Sequence, residues 1–163
     1  MIELVATPLT KPAFAPFGDV IEMEGATSFP INQGFAERFN DLANIDVSDD
    51  GGITNVSIVM AKPRPMPIIL EVMEHHPLGS QIFIPLQDRD WLVAVCADPK
   101  DVTSYRIFRA NGRQGINYRK GTWHHPLLVF EPGSRFLVVD RKGSGKNLEE
   151  IWLGSDKSLR ITP

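Results

Sequence analysis

Between Ile53 and Asp140 the sequence is broken into short runs rich in Val, Ile and aromatic residues, each closed by Pro, Gly or Asp. Runs of that length and composition read as strands, and their close punctuation restricts the chain to an all-β architecture with many turns. Ile53 to Ala61 reads as one strand with Val56, Ile58 and Met60 on one face, because strand side chains alternate with period two. Ile68 to Met73, Gln81 to Ile84, Trp91 to Ala97 and Ser104 to Arg109 follow, then Ile116 to Tyr118, Leu127 to Phe130 and Arg135 to Asp140. Such a series predicts a sandwich or barrel, and we expect one β-barrel with minor helix. Thirteen Gly and thirteen Pro argue against a helical bundle. Helix is expected only as a turn within Lys11 to Phe17, while Ile68 to Glu74 fits either class. The acidic, Gly-ended stretch Asn44 to Gly52 reads as a surface loop. No linker divides the chain, so residues 1–163 are expected to form a single domain.

Charge and composition remove several function classes. A net charge of −3, with Lys and Arg scattered, offers no basic face for nucleic acid. No apolar run approaches the ~20 residues of a membrane span. Met1-Ile2-Glu3-Leu4 lacks the basic and apolar regions of a secretory signal, so a cytoplasmic location is expected. The single cysteine, Cys96, lies inside an apolar run and is expected to be a buried, inert thiol.

All four histidines fall in two copies of one tetrapeptide, His75-His76-Pro77-Leu78 and His124-His125-Pro126-Leu127, starting 49 residues apart. Histidine is suited to proton transfer near neutral pH and to binding transition metals. If Glu74 to Gln81 crosses from one strand to the next, Glu74 and His76 share a face, and Gln81 on the returning strand can point into the same cavity. Gly121 permits a turn that then delivers His124. Small barrels keep a ligand cavity in the mouth or centre, so one site built from Glu74, His76, Gln81 and His124 is expected. His75 and His125 fall on the opposite phase and suit solvent as well as the site.

The spacing Glu74-x-His76-x4-Gln81 followed by Gly121-x2-His124 is similar to the two cupin motifs. Those read His-x-His-x4-Glu and Gly-x2-His, so Glu74 stands for a His and Gln81 for a Glu. Longer strings resemble a narrower family. Phe17-Gly18-Asp19-Val20-Ile21, Ile31-Asn32-Gln33-Gly34, Arg38, His76-Pro77-Leu78-Gly79-Ser80-Gln81, Asn111 to Tyr118, Trp123 to Leu127 and Asp140-Arg141 resemble the ureidoglycolate lyases, formerly called ureidoglycolate hydrolases. The resemblance runs from Phe14 to about Arg141.

The resemblance implies a cupin-like barrel of the jelly-roll type, a homodimer, that splits ureidoglycolate into glyoxylate and urea during allantoin and purine breakdown. That substrate is a carbinolamide, and its cleavage needs a base for the hydroxyl proton, an acid for the leaving nitrogen and an anchor for the carboxylate. His124 or His76 suits the base. Glu74, if burial raises its pKa, suits the acid or a metal ligand. Arg38 is a natural carboxylate fork, and Gln81, Asn32 and Asn117 can hydrogen-bond the urea moiety. Arg38 also suits a surface ion pair, and Asn32 and Asn117 suit turns. Tyr118 and Trp123 are expected as walls, and Asp140-Arg141 reads as a surface pair. Glu74, His76, Gln81 and His124 are also the residues for one divalent metal ion, Ni2+ by the resemblance and Zn2+ by ligand type; a metal-free acid–base site uses the same residues. Competing classes are a non-catalytic small-molecule-binding cupin, a different metal-dependent cupin enzyme, and an amidohydrolase that releases ammonia.

Overall fold

The computed structural model describes residues 2–154 and 159–163, and strands carry almost all of its regular structure. The expected helical turn forms at Lys11–Phe14, where the Thr10 hydroxyl accepts from the Ala13 N–H and Phe14 is driven fully inside.

Two sheets dominate. The five-stranded one runs in the order Gly18–Ile21, Gly115–Tyr118, Gln81–Pro85, Ser134–Lys142, Ile53–Ala61. The larger one runs Glu149–Trp152, Val72–His75, Trp123–His124, Trp91–Cys96, Arg106–Ala110, Thr7–Pro8, with Leu128–Val129 also paired to Trp91–Cys96. Alternation sends Val20, Phe83, Ile116, Tyr118, Phe136 and Val138 from the first sheet into one buried cluster. Trp91, Val93, Val95 and Phe108 enter the same cluster from the second. This is the barrel interior.

The two outer faces are treated differently. Leu92, Ala94, Cys96, Ile107 and Leu128 project from the back of the larger sheet into a second cluster with Leu70, Leu159 and Ile161. Those last residues belong to a small sheet of Ile2–Val5, Leu159–Thr162 and Ile69–Leu70, which joins the two ends of the chain over that face. Trp91–Cys96 is therefore buried on both sides, as its unbroken apolar sequence requires. On the five-stranded sheet the loop from Asn44 to Gly52 covers the outer face at Asn117 and Arg141, and the edge strand is left open among the described residues. Ile53–Ala61 has the bounds expected from sequence, but Val56, Ile58 and Met60 face outward and are 64%, 64% and 69% exposed.

Thr27–Ile31 and Ala36–Asn40 pair only with each other, as a separate hairpin whose turn holds Asn32 and Gln33 at positive φ. The loop from Asn44 to Gly52 is mostly exposed, as expected, yet it anchors through buried Val47 and a Ser80 N–H donated to the Asp46 carbonyl.

Candidate active site

Each tetrapeptide contributes one histidine to the barrel interior. Val72–His75 and Trp123–His124 are neighbouring antiparallel strands, with Glu74 directly opposite His124. Residues in register on adjacent strands share a face, so the Glu74 carboxylate meets the His124 ring. His76 lies two residues beyond Glu74 and takes the same side. The Gly121 N–H donates to the His76 carbonyl from a residue at φ +79°, which ties the two copies together at the turn that Gly121 was expected to make.

The second copy enters in the opposite phase. His124 is opposite Val95, a barrel-interior residue, whereas the His125 N–H donates to Ala94, whose side chain belongs to the outer cluster. Pairing resumes with Leu92 opposite Leu128, so this strand carries one extra residue between His125 and Leu128. The slip comes after the pair of histidines and leaves His124 inside.

The geometry of the interior trio is specific. Ligand-capable atoms of Glu74, His76 and His124 lie within 4.8 Å of one another. His76 Nδ1 is 2.8 Å from the Asn147 carbonyl, and His124 Nδ1 is 2.8 Å from the Thr122 carbonyl. A carbonyl accepts only, so each Nδ1 carries the hydrogen and donates. Both Nε2 atoms are buried without a hydrogen-bond partner among the described residues. His124 Nε2 lies 3.4 Å from a Glu74 carboxylate oxygen, in ion-pair range but not aligned as a hydrogen bond. Both face each other as acceptors, an arrangement that a proton or a cation between them would relieve.

Electrostatics divide the three groups. Burial and then the charge of His124 push the His76 imidazole below the ordinary histidine range, so it is neutral near pH 7. Burial pushes Glu74 up, but its contact with His124 and the charges of the neighbouring histidines outweigh that effect and leave it below the usual value. Glu74 is therefore an ionised carboxylate, contrary to the sequence expectation of an acid raised by burial.

A polar row on the five-stranded sheet faces the trio. Gly18, Tyr118, Gln81, Asp140 and Asn55 lie side by side across its strands. The Tyr118 ring stacks on His124 with centroids 4.0 Å apart. Gln81 Nε2 donates to Asp140 at 3.4 Å, and Asn55 Nδ2 donates to the other Asp140 oxygen at 3.0 Å. Asp140 was expected as a surface residue. It is half-buried, and its charge reaches His76.

Other sequence candidates lie apart from this cluster. Asn117 is buried on the opposite face of its strand, where Nδ2 donates to Asp19 and to the Asn44 carbonyl. It lines a separate cleft of about 250 Å³ with Asp46, Ser80 and Lys120. Arg38 is exposed in the hairpin opposite Phe29, and Asn32 is exposed at its turn. His75 stacks on Trp123 at 3.9 Å and pairs with Glu149 at 2.8 Å. His125 is buried with its Nδ1 on the Pro126 carbonyl, and burial pushes it down to about 4. Cys96 is buried and its thiol is pushed up to about 12 by desolvation, so it is inert as expected.

Sequence reading passed over Arg64. It is half-buried, makes no ion pair or hydrogen bond among the described residues, and its charge reaches His125. An arginine isolated in the Pro-rich run Lys62 to Pro67 is its one sequence signal.

The ureidoglycolate lyase family model matches residues 1–160. A Burkholderia mallei ureidoglycolate lyase is 48% identical to this chain, covering 99% of each protein. This chain belongs to the ureidoglycolate lyase family. A Stutzerimonas stutzeri ureidoglycolate lyase is 46% identical over all of this chain and 97% of its own, and a Burkholderia cepacia one is 50% identical over 95% and 89%. Among solved structures, a Bacillus subtilis oxalate decarboxylase aligns with a TM-score of 0.40 and 12% identity over 67% of this chain and 27% of that one, too distant a likeness to bear on the chemistry.

Proposed function

We infer that this chain cleaves ureidoglycolate into glyoxylate and urea. Family membership names the substrate, and one observation supports the mechanism: two buried imidazole Nε2 atoms and one ionised carboxylate meet at a point inside the barrel. His76, held neutral by burial, takes the proton of the substrate hydroxyl. The oxygen's electron pair forms the aldehyde carbonyl, the carbon–nitrogen bond breaks, and its electrons leave on the ureido nitrogen. The His124–Glu74 pair is the proton source for that nitrogen in this reading, so urea departs neutral. Tyr118 holds the His124 ring by stacking, and the Thr122 carbonyl fixes its tautomer.

The same lone pairs fit a divalent ion. Glu74, His76 and His124 would hold it, with Gln81 Oε1 as a fourth donor; Ni2+ follows the family resemblance and Zn2+ suits the ligand types. When bound, such an ion supplies Lewis acidity toward the hydroxyl oxygen. Elemental analysis of the purified protein and of His124→Ala reads this directly; no ion in either leaves the acid–base site alone.

An arginine anchors the carboxylate, because guanidinium pairs bidentately with planar oxyanions. Arg64 is half-buried and its charge reaches the outward His125, and Arg38 is carried on the hairpin. Methionine at each position separates them: the anchor is the one whose loss raises KM about 10-fold. We further propose a homodimer, with the uncharged outer face of the edge strand Ile53–Ala61 lying against a second copy. Ile58→Glu is expected to yield monomers in sedimentation. A lone buried cysteine outside any disulfide suits the cytoplasm, which cell fractionation tests; no helix among the described residues is long and apolar enough to cross a membrane.

The deciding assay supplies racemic ureidoglycolate and measures products faster than its spontaneous decay. Glyoxylate and urea are expected in equal amounts, with no ammonia above background. Stoichiometric ammonia would replace the lyase by an amidohydrolase.

A further inference from the structure

We propose that Asp140, positioned by Asn55 and working with Gln81, binds the terminal amino group of the ureido moiety and so sets specificity for ureidoglycolate. The proposal rests on the lyase reading above and adds residues to it.

Three strands place these side chains in one line. Asp140 is directly opposite Asn55, and Val139 opposite Ile82 puts Asp140 beside Gln81. All three share the face of Phe83, Phe136 and Val138, which is the barrel interior. On the next strand Tyr118 is opposite Gln81, and its ring lies on His124, so the row borders the trio directly.

The hydrogen bonds show what this wall lacks. Asn55 Nδ2 and Gln81 Nε2 each give one hydrogen to a different Asp140 oxygen. A carboxylate has about four acceptor positions, so Asp140 keeps capacity on both oxygens. Gln81 Oε1 is buried and has no partner among the described residues. Its amide cannot be reversed to find one, because the oxygen would then face the Asp140 carboxylate. Each amide keeps a second N–H, but the free positions on Asp140 and the unpaired Gln81 Oε1 still leave the wall with more acceptor positions than hydrogens, and an unpaired buried acceptor is costly to leave unmade.

Ureidoglycolate supplies what is missing. Its terminal NH2 carries two hydrogens and lies at the end of the molecule remote from the carbon that reacts. With the carbinol carbon at His76 and His124, that NH2 is the end available to the opposite wall. The carboxylate would bring a second negative charge to Asp140, and the urea carbonyl, though able to accept an amide N–H, would leave Gln81 Oε1 unpaired.

The test compares ureidoglycolate with 2-acetamido-2-hydroxyacetate, which keeps the carbinolamide and replaces the terminal NH2 by a methyl group. The wild-type protein is expected to prefer ureidoglycolate in kcat/KM by at least ~10²-fold, because a site built to pair N–H groups rejects the analogue lacking them. Asp140→Asn and Gln81→Met are each expected to reduce that preference at least ~10-fold. A merely structural role would lower both substrates in parallel and leave the ratio unmoved, which would overturn the proposal. Equal wild-type activity on both substrates would overturn it without any variant. Cleavage of neither substrate would instead remove the lyase reading, and the subsite with it.

Discussion

The two His-His-Pro-Leu segments have the same sequence and opposite phase. In the first, the second histidine enters the barrel and His75 is left outside against Trp123 and Glu149. In the second, the first histidine enters and His125 is turned toward the outer cluster. Strand pairing causes the difference. Glu74 and His124 are locked opposite each other, and alternation then fixes the fate of every neighbour. A tetrapeptide thus does not encode a site; its register does.

Removing the inward histidines should have the largest effect. His124→Ala and His76→Ala are each expected to lower kcat/KM by at least ~10²-fold, whether their Nε2 atoms move protons or hold an ion. His125→Ala should retain much of the wild-type activity. Steady-state kinetics with circular dichroism to verify folding checks the contrast. A folded His124→Ala variant with full activity would break the site assignment.

That contrast also marks what the sequence could reveal. Period-two spacing places Glu74 with His76, and Gly121 announces His124, because both signals are local. Runs such as Trp91–Cys96 are legible because burial on both faces demands an unbroken apolar string. The Thr27–Ile31 and Ala36–Asn40 hairpin escapes notice because it is largely exposed, so no hydrophobic alternation marks it. Asp140 escapes for a different reason. It meets Gln81 through the pairing of strands 59 residues apart, and only that register takes it from an apparent surface pair to the barrel wall. Its neighbour Arg141 turns away from the barrel to the Asp49 and Ser144 carbonyls. Asn117 shows the same dependence in reverse: its amide suits urea, but alternation puts it on the outer face.

The outward histidines separate by burial, and pH sharpens the distinction. His125 is pushed down to about 4 by burial, below its ordinary value near 6.5. As pH falls, the unfolded chain therefore binds this proton before the folded one does. The stability contributed by a neutral His125 is complete above the unfolded value and is lost as pH falls from about 6.5 toward 4. The loss amounts to at most on the order of 3 kcal/mol. Urea unfolding of wild type and His125→Gln between pH 7.5 and 4.5 isolates this contribution. The difference between the two proteins should shift against the wild type as pH falls, and a constant difference would assign the titration elsewhere.

His75 should give the smallest effect, although it makes more identified contacts than His125. Its Nε2 meets Glu149, but that carboxylate is 45% exposed, and ion pairs open to solvent contribute little. The Gly121 carbonyl lies 3.3 Å from Nδ1 at the same turn, and its strand neighbours are held independently by the backbone ladder. What remains is the stack on Trp123, worth about 1 kcal/mol by analogy with aromatic pairs. His75→Ala is therefore expected to lower Tm by a few degrees, alter Trp123 fluorescence and leave kcat/KM within about threefold of wild type. His75→Phe keeps the stack and removes the ion pair, so it should recover most of the lost stability. If His75→Ala instead matched His76→Ala in its loss of turnover, the phase argument would fail at the first tetrapeptide, because alternation gives that ring no path to the reacting atoms.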